Sequence, residues 1–334
     1  MPSFPFAGRL GTVALAAALA ACTSDATATP DASAIGAPAG PPPAVAVVVS
    51  PADSVAALDA RTAAAYARIV AAADSAGIAD RPYGEIVQWV GEQLQGRPYV
   101  AGLLDAPPRE TLVADLTRFD CVLYIENVLA VAHTIATGET TADAYIAEIA
   151  RMRYRGGQMN GYASRLHYFS EWIADNAARG ILQNVTVAAG GEPFDKRITF
   201  MSEHRSAYPH LADDSTFALV RDAEAALAGL DLVYIPKARI AEAYAHLQPG
   251  DVIATATSIA GLDVTHTGFV HVAGRQTGFM HASSASNAVK VSPDLHAYVR
   301  DIRSQVGIII ARPLDPRLAP AAPRRPTPRR AAGG

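Results

Sequence analysis

A thiol and an imidazole are the two groups of this chain that could together perform nucleophilic chemistry. The sequence contains two cysteines, Cys22 and Cys121, and nine histidines. A cysteine hydrolase needs a thiol, a histidine that accepts its proton and a third group that orients the imidazole. Cys121 is the candidate thiol, and the alternative is a small, inert residue that packs beneath the start of a helix.

The sequence around Cys121 predicts a helix from Cys121 to about Thr137. Asp120 is a favourable N-cap residue, and Gly138 suits the C-cap. Apolar residues recur at helical spacing on one face (Val122, Ile125, Leu129, Ala132), while Glu126 and His133 mark a polar stripe. Unpaired N–H groups and the positive end of the helix dipole favour a thiolate in the first turn of such a buried helix. We expect Asp120 to cap the helix and to take no part in chemistry.

Short strands in the C-terminal third carry the candidate bases. Because side chains alternate along a strand, His266 and His271, five residues apart, face opposite sides, and only one of them can meet Cys121. His266 is the predicted base, and Gly268 on the same face leaves room for a helix or a substrate to approach. A hairpin would bring His281, on the next strand, beside His266 as the residue that orients it.

The remaining histidines and one aromatic cluster are weaker candidates. His133, His204, His210, His246 and His296 are expected at the surface, and the role of His167 stays open. Arg165, Tyr168 and Trp172 are three and four residues apart, so on a helix they share one face. There the arginine could hold a substrate carboxylate while the rings lie on a sugar. The alternative is two core aromatics and a structural ion pair.

Several motifs resemble the NlpC-type cell-wall hydrolases, which have a papain-like α+β fold. Asp120-Cys121 matches their D-C motif, and Pro98-Tyr99 matches an upstream P-Y motif. The strings Gly250-Asp251-Val252, His266-Thr267-Gly268-Phe269-Val270 and Met280-His281-Ala282 match three of their strands in order. The resemblance implies a nucleophilic Cys at the start of a buried helix that packs on a C-terminal antiparallel sheet.

Within that class the chain is most similar to the N-acetylmuramoyl-L-alanine amidase-like family, over about residues 84–312. The matching segments are GRPYVAGLLD, RFDCVLYIEN, YRGG, SRLHYFSEWIADN, YIPK, GLDVTHTGF and MHASS. The resemblance implies hydrolysis of the amide between the lactyl group of N-acetylmuramic acid and L-alanine, without metal or cofactor. It implies Cys121, His266 and His281 as the catalytic set, with Tyr99 near the oxyanion.

Two residues that follow Cys121 differ from the motifs of the related hydrolases. Leu123 stands where we expect a Thr in this family, which bears on specificity. Val122 replaces the Ser of the D-C-S-G motif of NlpC-type endopeptidases, where the Asp and Ser help to hold a free amine. Loss of that polar contact fits cleavage on the sugar side of L-alanine.

Both ends of the chain differ in composition from its centre. Residues 1–21 resemble a lipoprotein signal peptide that ends Leu19-Ala20-Ala21-Cys22, so the resemblance implies acylation of Cys22. Residues 22–50 are rich in Ala, Pro and Thr and predict a disordered tether. Residues 51–312 form the predicted hydrolase domain, and residues 313–334 a disordered basic tail. If Cys22 is acylated, Cys121 is the lone thiol of an exported domain, which is either inert or a nucleophile.

Charge and motifs limit the partners. The formal net charge of −4 argues against nucleic acid, and the sequence shows no phosphate-binding loop or zinc spacing. The expected partners are peptidoglycan or muropeptide fragments, and the membrane through the lipid anchor. The protein is therefore expected in the cell envelope, facing the periplasm. Thr23, after the lipidated Cys, favours the outer membrane by resemblance to sorting patterns.

Three other functions stay open at this point. An endopeptidase of the same class would cut within the stem peptide, and an acyltransferase would use the same residues with a nucleophile other than water. A non-catalytic peptidoglycan-binding lipoprotein would contain an inert Cys121.

The lipid anchor can be tested directly. Cys22→Ser should prevent acylation and release the full chain from membrane fractions, because this thiol is the predicted attachment site. Membrane retention of the variant after a salt wash, compared with the unaltered chain, would count against the anchor.

Overall fold

A computed structural model of the protein describes residues 58–318. Its α-helices are α1 (Ala60–Ser75), α2 (Tyr83–Gln93), α3 (Cys121–Thr137), α4 (Ala142–Arg153), α5 (Phe169–Ala178), α6 (Phe200–Glu203), α7 (Asp214–Leu227), α8 (Ile240–Ala243) and α9 (Leu295–Arg300). Its strands are β1 (Leu182–Asn184), β2 (Glu192–Pro193), β3 (Val233–Pro236), β4 (Val252–Thr257), β5 (Val264–Ala273), β6 (Gln276–Ser283), β7 (Ala288–Ser292) and β8 (Gln305–Pro313).

Helix α3 is the central helix and begins at Cys121, as the sequence predicts. The Asp120 side chain accepts a hydrogen bond from the Leu123 N–H at 2.8 Å, and Gly138 ends the helix in the left-handed conformation. Every residue from Leu123 to Ala132 is buried. The polar stripe is therefore not solvated: Glu126 is 1% exposed and binds Arg153 of α4 at 2.7 Å. Because the helix is buried on all sides, any charged residue on it needs an internal partner.

The strands form one antiparallel sheet in the order β2-β3-β8-β4-β5-β6-β7, with β1 also pairing with β8. One face, which includes Val252, Phe269 and Met280, packs on α2 and α3. The opposite face, which includes Val270 and Phe279, packs on α8 and α9. The predicted α+β class, with the cysteine helix packed on a C-terminal antiparallel sheet, is confirmed for the described residues.

Strands β5 and β6 separate in the middle of the sheet. The two strands pair from Phe269, opposite Met280, up to the turn that joins them. In contrast, His266, Thr267 and Gly268 have no partner on β6. Beyond Met280, β6 instead continues its pairing with β7. The register of β5 against β4 shifts once, before His266, so the alternation of side chains from His266 to His271 is regular. The result is an opening between two strands beside the start of α3.

A helical insertion forms a third apolar cluster beside the sheet. Phe200, Met201, Val220 and Leu227 are buried there with Tyr168. The Tyr168 hydroxyl donates to Glu224 at 2.6 Å and accepts from the Met201 N–H at 2.8 Å. These bonds attach α6 and α7 to the segment that precedes α5.

The boundaries of the domain differ from the prediction at the C-terminus. Residues 313–318 belong to the fold, because the Leu314 N–H donates to Ile181 at 2.9 Å and Arg317 donates to the carbonyl groups of Ala79 and Arg81. The predicted signal peptide, Cys22, tether and the rest of the basic tail lie outside the described residues. Within residues 58–318, the helices are too short or too polar to cross a membrane.

Candidate active site

Cys121 lies at the opening between β5 and β6. The Thr267 hydroxyl donates to the Cys121 carbonyl at 3.1 Å, which fixes the start of α3 against β5. Val270 donates its N–H to Asp251 on the β4 side at 2.7 Å. N–H groups alternate sides along a strand, so the Thr267 N–H points the other way, to the edge that β6 has left. Burial raises the pKa of the Cys121 thiol, and hydrogen bonds from this N–H and from the Thr267 hydroxyl offset part of the rise, which places the sulfur at this free edge.

His266 and His281 form a hydrogen-bonded pair on the two separating strands. His266 Nε2 and His281 Nδ1 are 2.8 Å apart, so the predicted proximity of the two imidazoles is found. His281 is 1% exposed, whereas His266 is half-buried. The other ring nitrogen of His266, Nδ1, has no hydrogen-bond partner among residues 58–318.

The opposite orientation of His266 and His271 is also found, but the faces are not the ones expected. His271 is on the helix-packed face and contacts Glu92 of α2 at 2.9 Å. The His266 ring lies on the other face, near Phe279 and Tyr298. Gly268 therefore makes room for no helix: a Cβ there would lie 2.5 Å from the Phe279 ring.

Ser292 extends the histidine pair by one residue. Its hydroxyl lies 3.1 Å from His281 Nε2, so both nitrogens of the buried imidazole have partners. Lys290, paired with His281 across β6 and β7, contributes a positive charge on the same side. This charge opposes protonation of His281 and favours its role as a neutral hydrogen-bond partner.

Two aromatic rings enclose the pair. Phe279 stacks on His281 with a centroid separation of 4.7 Å, and its centroid is 5.9 Å from that of His266. Tyr298 of α9 lies 4.8 Å from His281 and 6.0 Å from His266. The imidazoles therefore sit in a largely apolar surround.

Tyr99 reaches the site on an extended segment between β7 and the start of α3. Its N–H donates to Asn287 at 3.0 Å, and it forms a β-bridge with Phe119, two residues before Cys121. Burial and the charges of Cys121 and Asp120 raise the pKa of Tyr99 to about 12. The hydroxyl is thus a protonated donor at neutral pH, and it has no hydrogen-bond partner among residues 58–318.

Burial dominates the electrostatics of the thiol and the base. It raises the pKa of Cys121 to about 11, with a further rise from Asp120, and lowers the pKa of His266 to about 4. Burial, then the charges of His266 and Lys290, lower the pKa of His281 to about 2. The expected thiolate at the helix start is therefore not supported: desolvation outweighs the N–H groups, and the resting pair is a neutral thiol and a neutral imidazole.

The structure does not bring Arg165, Tyr168 and Trp172 together on one helix face. Helix α5 begins only at Phe169, and all three side chains are engaged inside the protein. Arg165 binds Asp105, and the Trp172 Nε1–H donates to Glu126 at 3.3 Å. The alternative interpretation, core aromatics with a structural ion pair, describes them correctly.

Other histidines have structural partners. His133 lies 3.8 Å from Glu148 and is not simply solvated, and His167 bonds to the Tyr162 carbonyl at 2.9 Å. His210 stacks on Tyr162 with a centroid separation of 4.5 Å. These three partners lie away from Cys121, and none of the three histidines bonds to a residue of the opening. Residues 58–318 contain no group of three or more Cys, His, Asp or Glu side chains arranged to hold a metal ion.

The opening thus brings together a neutral thiol, two neutral hydrogen-bonded imidazoles and a phenolic hydroxyl that has no hydrogen-bond partner among residues 58–318. A family model described as N-acetylmuramoyl-L-alanine amidase-like matches residues 89–308. That range includes every one of these groups. The chain belongs to the N-acetylmuramoyl-L-alanine amidase-like family.

Solved structures agree with this membership. Two structures of an N-acetylmuramoyl-L-alanine amidase from Bacteroides uniformis are each 33% identical, with TM-scores of 0.64 and 0.65. They cover 69% and 70% of this chain and 98% and 99% of their own. Protein LPG0564 from Legionella pneumophila shares the fold at 18% identity and a TM-score of 0.57, over 76% of this chain and 94% of its own. Among curated proteins, none matches the chain.

Sequence reasoning missed three residues of this amidase-like site. Thr267 follows the predicted base directly, and its hydroxyl could have been suspected from that position. Ser292 and Tyr298 are on β7 and α9, and their spacing from His281 predicts no contact. Only the pairing of β6 with β7 and the return of α9 over the sheet bring them to the imidazoles.

The neutral resting pair predicts how Cys121 reacts with an alkylating reagent. In the full-length Cys22→Ser variant, where Cys121 is the only thiol, the rate with iodoacetamide should be low at pH 7. It should rise continuously towards pH 11, because the reactive thiolate forms only as the pH approaches the raised pKa. Mass spectrometry of the modified protein measures the rate. A rate plateau already reached below pH 7 would show a preformed thiolate instead.

Proposed function

We propose that this protein hydrolyses the amide between the lactyl group of N-acetylmuramic acid and L-alanine in peptidoglycan or its fragments. The observation that supports this most directly is the hydrogen bond between His266 and His281 at the opening that holds Cys121. It orients a base beside the only thiol of the family-matched region. The Bacteroides uniformis relatives, which match over nearly their whole length, are N-acetylmuramoyl-L-alanine amidases.

The reaction would begin with a neutral thiol and a neutral imidazole. His266 Nδ1 takes the Cys121 proton as the sulfur attacks the lactyl carbonyl, and His281 accepts the Nε2–H of the resulting imidazolium. This tautomer requires His281 to carry its proton on Nε2, from which it can donate to Ser292. Because desolvation disfavours the charged forms of the thiol and of the imidazole, proton transfer is coupled to attack and does not precede it.

Two groups are candidates to donate hydrogen bonds to the carbonyl oxygen as it becomes negatively charged. The Cys121 N–H is in the first helical turn, before any intrahelical acceptor. The Tyr99 hydroxyl is protonated and otherwise free. A preorganised donor of this kind stabilises the transition state by roughly 3 kcal/mol. His266 then protonates the leaving amine, and water, activated by His266, hydrolyses the thioester to the free acid and the thiol.

The choice of bond rests on the residues beside the nucleophile. Val122 is half-buried and apolar, and Leu123 is fully buried in the core. Neither can bind the free amine that an endopeptidase of this class must hold. This favours the acylated L-alanine of an intact lactyl-peptide over a free peptide N-terminus.

We further propose that the protein is attached to the cell envelope through an acylated Cys22 and faces the periplasm, with the outer membrane preferred. The support is the sequence alone: a signal-like segment that ends at a cysteine, followed by Thr23. Such an anchor would keep the hydrolase near its polymeric substrate.

Product analysis tests the activity and the bond together. Incubation with defined muropeptides should release a free lactyl acid on the sugar and a peptide that begins with L-alanine. The Cys121→Ala variant should fold normally and release neither. Mass spectrometry identifies the products, and circular dichroism checks the fold. Peptides cleaved internally would indicate an endopeptidase, and turnover by Cys121→Ala above the buffer rate would exclude the thiol mechanism.

The two histidines of β5 provide a matched pair of variants. His266→Ala should lower the rate by several orders of magnitude, whereas His271→Ala should change it little, because His271 faces Glu92 and α2. Part of the His266→Ala activity should return as the pH rises towards the thiol pKa, near 11 in the folded protein, because thiolate then forms without a base. The pH–rate profiles of both variants measure this. Equal impairment of the two, or loss only in His271→Ala, would rule out His266 as the base.

A further inference from the structure

The imidazole pair is enclosed on one side by a helix that the sequence did not connect with the site. Helix α9 has six residues and lies between β7 and β8. Its Asp294 cap accepts from the Ala297 N–H at 2.6 Å, and Leu295 and Val299 are fully buried. Tyr298, between these anchors, projects its half-buried ring towards β5 and β6.

Tyr298 contacts every aromatic group of the enclosure. Its centroid is 4.8 Å from His281, 4.8 Å from Phe279 and 6.0 Å from His266. The Phe279 ring is nearly parallel to that of His281, with an interplanar angle of 16° and a centroid separation of 4.7 Å. The three separations among Tyr298, Phe279 and His281 are almost equal, so their rings form one triangular cluster, and His266 lies within 6.0 Å of each member.

We propose that Tyr298 is a positioning residue of the amidase reaction: its ring closes the enclosure and holds both imidazoles in line with Cys121. This inference rests on the proposed function for its catalytic meaning, although the enclosure itself is a property of the fold. Tyr298 acts through the histidines and need not touch the substrate.

The physical effect of the ring is to exclude water from the base. Desolvation is the cause that lowers the pKa of His266, and it is the largest cause for His281. Lys290 on β7 is the charged residue that acts on His281, and Tyr298, which feels the Cys121 charge, brings a titratable hydroxyl from α9. Burial and the Cys121 charge raise the pKa of Tyr298, so this hydroxyl is neutral over the working range. Removing the ring should hydrate the imidazoles without removing any charge from them.

The experiment compares Tyr298→Ala with Tyr298→Phe, since phenylalanine keeps the ring and loses only the hydroxyl. NMR titration of the His266 imidazole in the full-length protein is the primary readout. In Tyr298→Ala the pKa should move from about 4 towards 6.5, the value of a hydrated imidazole, while Tyr298→Phe should stay near the unaltered protein. If the pKa reaches about 6, about 90% of the base is protonated at pH 5, and the rate there should fall about tenfold.

A matched control separates this effect from general destabilisation. Tyr234 of β3 is also half-buried, but its ring packs on Phe194, with a centroid separation of 4.8 Å, and not on the histidines. Tyr234→Ala should leave the His266 titration unchanged. If Tyr298→Ala does not fold, Tyr298→Val serves the same comparison with a smaller cavity.

The outcomes distinguish the two proposals. An unchanged His266 titration in Tyr298→Ala or Tyr298→Val, or an equal shift in Tyr234→Ala, would overturn the role of Tyr298. So would an equal shift in Tyr298→Phe, which would assign the effect to the hydroxyl. A shift confined to the ring-deleting variants, in a protein that hydrolyses no muropeptide, would support the enclosure and refute the proposed function.

Discussion

The site depends on the separation of β5 from β6 at residues 266–268, on the side of Phe269 away from the turn that joins the two strands. A strand edge with unpaired N–H groups is costly when buried, so something must occupy it. Here the start of α3 does so: Thr267 donates to the Cys121 carbonyl, and its N–H points to the sulfur. The same separation leaves His281 free to meet His266 across the gap at 2.8 Å. One local loss of strand pairing thus positions the thiol and both imidazoles.

Buried polar contacts hold the two sides of this opening in place. Glu126 on α3 binds Arg153 on α4, and both side chains are 1% exposed. Asp263, at the start of β5, accepts from the N–H and hydroxyl of Ser170 at 2.8 and 2.6 Å, which joins β5 to α5. Removing one member of such a buried pair leaves an unpaired polar group, so these contacts constrain the position of α3 and β5 strongly.

The same burial determines the chemistry that the site can perform. Desolvation raises the pKa of the Cys121 thiol and lowers that of the His266 imidazole, so both groups are neutral at rest. In the proposed reaction, the thiolate and imidazolium would therefore form during attack, when the substrate carbonyl and its donors are in place. Preorganised donors in a water-poor site then have their greatest effect on the transition state. Access for the substrate is consistent with this arrangement, because Cys121, His266 and Tyr99 remain only partly buried.

Short-range patterns in the sequence are enough to predict the helix that begins at Cys121 and to single out the candidate reactive groups. Asp120, the apolar spacing and Gly138 define α3 through short-range capping and periodicity, and strict alternation separates His266 from His271. Tertiary packing sets which sheet face meets α3, why Gly268 is small, and that Arg165 and Trp172 bind the carboxylates of Asp105 and Glu126. It also decided the protonation of the thiol, because the helix dipole can be read from sequence whereas desolvation depends on what packs around the sulfur. Ser292 and Tyr298 join the site through strand pairing and the path of α9, which are contacts between segments distant in the chain and therefore have no signature in residue spacing.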